Sequence, residues 1–296
     1  MDRPEDKVLG MFSEKIGKNI KQLVGDSSGI MFLVGLFLLI IFVIMAVFAP
    51  YIAPYSPIKP TGAPLLHPQV SHLMGTDNLG YDVFSRVIFG SRMAFSIAAI
   101  ATVIAAAVGI PTGLIVGYIG GKVDSVITMI MDSVYTFPGL ILAIAIAAML
   151  GQGLINISLS IAVVYIPTYY RVIRSQVVTI KSELYVEGAR AIGAKSPTIL
   201  SKYILPNVLP STIVVLSMNI ADAIMTEAGL SFLGLGIAPP TPDWGYDLSK
   251  GQQFILQNDW WLVVFPGLAI ILIVLGFSMF SEGLNEYLNP NIGEKR

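Results

Sequence analysis

Six stretches of the chain are continuous and apolar enough to predict membrane-spanning helices. They run roughly over 30–49, 93–118, 126–150, 154–170, 211–235 and 262–281. A spanning helix needs about 20 mostly apolar residues. The runs lack the two-residue alternation of barrel strands. Backbone groups cannot stay unpaired in hydrocarbon, so each run predicts a helix. The fourth is the shortest, and Pro167 interrupts its end. The predicted fold class is an all-α membrane protein of about six transmembrane helices. Segment 1–29 leads in, 30–49 is the first span, 50–92 an outer loop, 93–281 a five-helix core and 282–296 a tail.

The first span is expected to be uncleaved. Its apolar run, Ile30 to Phe48, is longer than the about 7–15 residues of a signal-peptide core. The outer loop holds Pro50, Pro54, Pro57, Pro60, Pro64 and Pro68, so its first half predicts extended chain. From Gly75 to Arg92 polar and apolar residues mix, which predicts a short helix at the surface. A second outer segment, 236–261, carries Pro239, Pro240 and Pro242. There is no internal repeat.

Composition agrees with the spans. The 296 residues are 54% hydrophobic and 12% charged, about half the charge of a soluble domain. Mean hydropathy is +0.74. The net charge of −1 gives no footprint for nucleic acid, and the absence of cysteine excludes disulfides and thiol chemistry. Charge also orients the chain. With the N-terminus inside, the outer segments carry only Lys59, Arg86, Arg92 and Lys250 of the 18 Lys and Arg residues. That bias predicts both termini in the cytoplasm. Trp244, Trp260 and Trp261 fall where an interfacial aromatic belt is expected.

The inner loop 171–210 is too polar for membrane core. Ser182 is a candidate cap for a short helix from Glu183 to Ile192, with Gly193 ending it. Ser196-Pro197 opens a second helix, with Ser as cap, and Leu205-Pro206 closes that element. Small residues at Gly188, Ala189 and Ala191 let another protein approach the first helix closely. Docking into a soluble partner is one reading of this hairpin; a connector folded on its own bundle is the other.

Ionisable residues inside spans cost about 2.5–3.5 kcal/mol each and need a reason. Asn219, Asp222 and Thr226 share one helical face of span five. Two readings stand: a face lining the solute path, or a polar clamp between helices. Glu227 is read as packing around Gly229, and Asp132 as hydrogen-bonding to a neighbouring span. His67 and His72 sit in the proline-rich outer loop and read as solvated residues. No phosphate loop of the type Gly-x4-Gly-Lys-Ser/Thr occurs, and no catalytic or metal-ligand constellation is apparent.

Glu187-Gly188-Ala189, Gly193 and Leu205-Pro206 resemble the Glu-Ala-Ala loop of binding-protein-dependent ABC permeases. Gly188 replaces the second-position Ala, and Tyr203 stands where Ile is usual. Met74 to Arg86, with Gly75-Thr76-Asp77 and Leu79-Gly80-Tyr81-Asp82, is similar to the segment before the second span of dipeptide, oligopeptide and nickel permeases. Tyr81 departs from the usual Arg. Glu227 to Gly236, Pro239-Pro240, Trp244-Gly245 and Phe265-Pro266-Gly267 fit the C-type subunit of that class. Ser281-Glu282-Gly283-Leu284 replaces a more usual Gly-Asp-Gly-Leu.

The resemblance implies the type I ABC importer permease fold and a cell-membrane location. It implies a heterodimer with a second homologous permease, two ATP-binding cassette ATPases and an extracytoplasmic solute-binding protein. ATP and Mg would sit on the ATPases, with no cofactor on this chain and no enzymatic activity of its own. The coupling residues would be Glu187, Gly188, Ala189, Arg190, Gly193, Leu205 and Pro206. Peptides are the implied solutes, with oligosaccharides or nickel as alternatives. An ion-coupled secondary transporter is the rival class, and it predicts inverted repeats.

Overall fold

A computed structural model describes residues 27–288. Among them there is no β-strand, only isolated bridges at Gln69–His72 and Thr76–Asp82. The first helix, α1 (Ser27–Val47), runs almost directly into a short helix, α2 (Ala49–Ile52). Then come α3 (Val83–Ile119), α4 (Gly121–Tyr135), α5 (Gly139–Leu150) and α6 (Leu154–Ile180). A hairpin then holds α7 (Leu184–Ala191) and α8 (Ser196–Ile199), which passes through a π-turn (Leu200–Ile204) into α9 (Leu205–Phe232). A short helix, α10 (Trp244–Gly251), and a 3-10 turn (Gln252–Gln257) precede α11 (Trp261–Leu288).

Several elements differ from the sequence reading, each for a physical reason. The second spanning helix begins at Val83, ten residues before its predicted start, so 83–92 forms its first turns and not a separate surface helix. Asp82 caps it by accepting from the Ser85 N–H at 2.8 Å, and Arg86 is neutralised by Asp247. Polar residues that look too costly for a span are thereby satisfied. The third apolar run is broken: α4 and α5 meet at 87° across Thr136-Phe137-Pro138. Pro138 has no N–H to donate, and it disfavours helical geometry at the residue before it.

Among the described residues four helices meet the length and apolarity of a membrane span, or five if the bent α4–α5 pair is one span. The fourth expected span, 154–170, corresponds to α6, which has 27 residues but carries Arg171 and Arg174 in its second half. Its helix continues to Ile180, ten residues into the predicted loop. Leu205-Pro206 likewise does not close an element. It opens α9, where Pro is tolerated in the first turn.

Glycine sets the closest packing. Gly109, Gly113 and Gly117 recur every four residues on α3. A Cβ on Gly109 or Gly113 would lie 2.8 Å from the carbonyl oxygen of Ile166 or Tyr170 on α6. Such small-residue spacing lets backbones approach where lipid supplies no hydrophobic drive. At the other edge, a Cβ on Gly35 of α1 would lie 2.4 Å from the Phe280 nitrogen of α11. The main core joins α1, α3, α5, α6, α9 and α11 around residues such as Ile97, Ile161, Ile224 and Ile273.

Trp244 and Trp261 do not turn their rings outward. Both are buried, and their indole N–H groups donate to the carbonyls of Val87 (2.9 Å) and Thr76 (3.2 Å). Trp260 is the exposed member of the three.

Candidate functional site

The hairpin between α6 and α9 is built from a buried and an exposed face. Val186 and Ala189 are both buried, and Val186 joins Ile173, Val177, Ile199, Ile204 and Val208 in one cluster. Ala189 is therefore covered by the chain itself and does not offer the open surface expected of it. Gly188, Glu187 and Arg190 are exposed. Nothing lies within 4 Å of a Cβ built on Gly188. Leu184 is 83% exposed and Ile192 84% exposed. Two such apolar side chains flanking one eight-residue helix form a surface in want of cover.

The ends of α7 are set locally. Ser182 does not cap it; its hydroxyl donates back to the Thr179 carbonyl at 2.7 Å, and Glu183 occupies the cap position. At the other end Gly193 takes φ +87°, a conformation glycine adopts without strain. Gly193 N donates to Arg190 O and Ala194 N to Ala189 O, both at 3.0 Å. This is the Schellman closure. Ser196 is the first residue of α8, and Lys195 takes the cap position predicted for Ser196. Leu205 is half-buried and Pro206 exposed, with the Asn207 amide donating to the Tyr203 carbonyl at 2.6 Å.

Side chains fasten the hairpin to the end of α3. Lys181 Nζ donates to the Gly117 carbonyl at 2.8 Å, where the helix dipole favours a cation. The Arg190 guanidinium sits 5.8 Å from the Tyr118 ring centre. Beside it, α4 and α6 are joined by ion pairs. Arg174 donates to both oxygens of Asp124, at 2.5 and 2.7 Å. Arg171 donates to Asp132 at 2.8 Å, so Asp132 does bond to the neighbouring helix.

The predicted polar face of α9 is divided. Asn219 is buried, Thr226 half-buried and Asp222 exposed. The Tyr165 and Thr226 hydroxyls are 3.1 Å apart. Asn219 lies beside Tyr169, which in turn lies beside Thr102 of α3. Yet Asn219 Nδ2, Tyr169 Oη and Thr102 Oγ1 are buried without a hydrogen bond. The tyrosines of α6 went unnoticed in the sequence, although Tyr165 and Tyr169 are one helical turn apart. Glu227 is buried too. The Ser231 hydroxyl bridges it to Asp243, at 2.9 and 2.8 Å, so its partner is a polar cluster and not the Gly229 packing expected.

On the opposite end of the bundle, Arg86 pairs with Asp247, 161 residues away. Burial pushes the Asp247 carboxyl up to about 6 against the pull of Arg86. Burial also raises Asp77, whose Oδ1 accepts from the Leu79 and Tyr81 N–H groups at 2.8 Å. His72 is not a solvated loop residue. It is buried, with Nδ1 2.9 Å from Asp82 Oδ1, and this pair pins the proline-rich loop to the start of α3. His67 is exposed and packs on the Trp261 ring. Among the described residues no group of three or more His, Cys, Asp or Glu is placed to hold a metal ion.

Residues 109–294 match the family described as binding-protein-dependent transport system inner membrane component. Residues 30–68 match the N-terminal TM domain of oligopeptide transport permease C. The dipeptide transport system permease protein DppC of Alkalihalophilus pseudofirmus is 39% identical over 88% of this chain and 86% of its own length. The probable D,D-dipeptide transport system permease protein DdpC of Escherichia coli is 38% identical over 88% and 87%. Among solved structures, a chain of the inward-facing MetNI methionine ABC transporter is similar at 16% identity. The TM-score is 0.49, over 66% of this chain and 94% of that one.

Proposed function

The chain belongs to the family of binding-protein-dependent transport system inner membrane components, and on that premise we propose that it is the permease half of an ATP-driven importer of di- or oligopeptides. It pairs with a second, homologous permease. Two cytoplasmic ATPases hold the ATP and Mg, and an extracytoplasmic binding protein delivers the solute. Both termini face the cytoplasm, and α7 inserts into an ATPase groove. The peptide assignment rests on the substrates named for the relatives.

One observation carries the coupling role: α7 exposes Leu184 and Ile192 while burying Val186 and Ala189. An ATPase groove would cover the first pair, and the second pair fixes the helix to the bundle. A displacement of α7 then passes through Lys181 and Arg190 to the end of α3. Close glycine packing makes α3 and α6 move together. Packed cores switch between discrete arrangements and do not deform continuously. The slip surface is the seam between that pair and α9, where Thr102 Oγ1, Tyr169 Oη and Asn219 Nδ2 are buried without a hydrogen bond. Asn219, Asp222 and Thr226 line the solute path along this seam.

The test is ATP-dependent peptide uptake in proteoliposomes holding both permeases, the ATPases and the binding protein. Glu187→Arg places a cation on the exposed face of α7. Uptake is expected to be lost, with the ATPases no longer co-purifying. Uptake that survives the substitution, or that persists without ATP, overturns the reading.

A further inference from the structure

An open groove of ≈ 540 Å³ runs along α4 beside Arg174 of α6. That volume is within the about 300–1,000 Å³ of ordinary ligand pockets. Ser125, Thr128, Asp132 and Thr136 line it at helical spacing, so it takes one face of α4. The opposite face of the same helix exposes Val123, Val126 and Ile130. Lipid or an apolar partner suits that second face. Hydrocarbon does not suit the groove, because ionisable side chains there are costly and are found facing a bundle interior or a water-filled cavity. The groove of α4 therefore faces water.

Its two ion pairs differ in kind. Arg174 holds Asp124 with two nitrogens, and their side chains are only 31% and 15% exposed. The Thr128 and Tyr170 hydroxyls, 2.7 Å apart, close the seam next to them. This pair is a wall. Arg171 reaches Asp132 through Nη2 alone, at 2.8 Å, and their side chains are 50% and 53% exposed. A single exposed contact of this sort holds weakly and exchanges readily. The Arg171 guanidinium also lies 3.9 Å from the Tyr135 ring centre. That stacking keeps the cation in place when Asp132 lets go of it.

We propose that this groove is a release site that reads the two free termini of a short peptide, its ammonium on Asp132 and its carboxylate on Arg171. The inference rests on the peptide-importer reading and its orientation, which put the groove at the inner end of the bundle. A zwitterion replaces one exchangeable ion pair by two, whereas a simple anion or cation leaves Asp132 or Arg171 without its partner. The guanidinium fork suits a terminal carboxylate. Binding is weak, because the peptide must first part a pair that satisfies itself. Weak binding is what release into the cytoplasm requires. Since the termini are read, the peptide's side chains are free to vary.

The chain has no cysteine, so a single Ser133→Cys beside Asp132 reports on the groove. The variant is assembled with cysteine-free partner subunits in nanodiscs, without nucleotide or binding protein, and treated with a water-soluble methanethiosulfonate. Labelling is expected, and L-alanyl-L-alanine is expected to slow it about fivefold at about four times its dissociation constant. N-acetyl-L-alanyl-L-alanine amide, which lacks both charges, should give no protection. Asp132→Asn and Arg171→Gln should each abolish the protection, and Arg171→Lys should retain part of it. The capped-peptide comparison leaves the pair intact, so it decides even where a variant fails to assemble. A cysteine closed to the aqueous reagent, no protection by the free dipeptide, or equal protection by the capped one overturns the release site alone, provided that the wild-type complex imports peptide. A wild-type complex that assembles but imports no peptide overturns the importer reading, and the release site with it.

Discussion

A Cβ placed on Gly113 of α3 would lie 2.8 Å from the carbonyl oxygen of Tyr170 on α6 and 2.9 Å from the Cβ of Ile173. Backbone cannot yield as a flexible side chain does. Gly113→Val is therefore expected to force the helices apart and cost about 1–3 kcal/mol, as overpacking does. The thermal midpoint of the purified protein in detergent checks this. Gly188→Ala is the control, because its Cβ meets open space. It should be neutral or stabilising by up to about 1 kcal/mol through helix propensity. Equal midpoints for Gly113→Val and wild type would refute the close-packed seam.

Asp247 gives a pH signature. Its folded value of about 6 lies above the ordinary 3.8, so the folded state binds the proton more tightly than the unfolded one. The sign follows from linkage: this stabilisation is complete below pH 4 and is lost as pH rises through about 6. The loss amounts to about 3 kcal/mol. Thermal midpoints measured from pH 4 to 7 should fall across that window in wild type. Asp247→Asn should flatten the fall. A slope unchanged by the substitution would assign the pH dependence to other groups.

Asn219 separates two roles by two measurements. Its Nδ2 is buried without a partner, and a buried unsatisfied polar group is costly. Asn219→Leu keeps the volume roughly constant. It is expected to leave stability unchanged or raise it by about 1 kcal/mol. If the residue lines the solute path, peptide uptake should nevertheless fall, with the ATPases still bound. Normal uptake together with raised stability would reduce Asn219 to a packing defect.

Much of this architecture can be read from the chain. The apolar runs place α1, α3, α9 and α11, since each exceeds the length that hydrocarbon demands. Gly193 marks the end of α7 because the turn there needs positive φ. The Glu187–Gly193 and Leu205-Pro206 spacing picks out the hairpin. The errors cluster where polar residues find distant partners. Arg86 reads as a loop residue until Asp247 neutralises it. His72 reads as solvated until Asp82 is beside it. Ala189 reads as a contact surface until the folded chain covers it. Tyr165 and Tyr169 carried one signal, a shared helical face, but tyrosine is common at membrane boundaries and the signal had no partner.

Class and membrane habitat follow from composition and run length alone, because water-poor surroundings leave the backbone no choice but helix. The hairpin's existence is local too, being written in caps and a glycine. Which face of that hairpin is anchored, where the third run breaks, which charges are cancelled and which hydroxyls stay unpaired are decided by tertiary structure. Those outcomes depend on pairs far apart in sequence, such as Arg86 with Asp247 and Thr226 with Tyr165. No periodicity along a single helix encodes the neighbour that another helix brings.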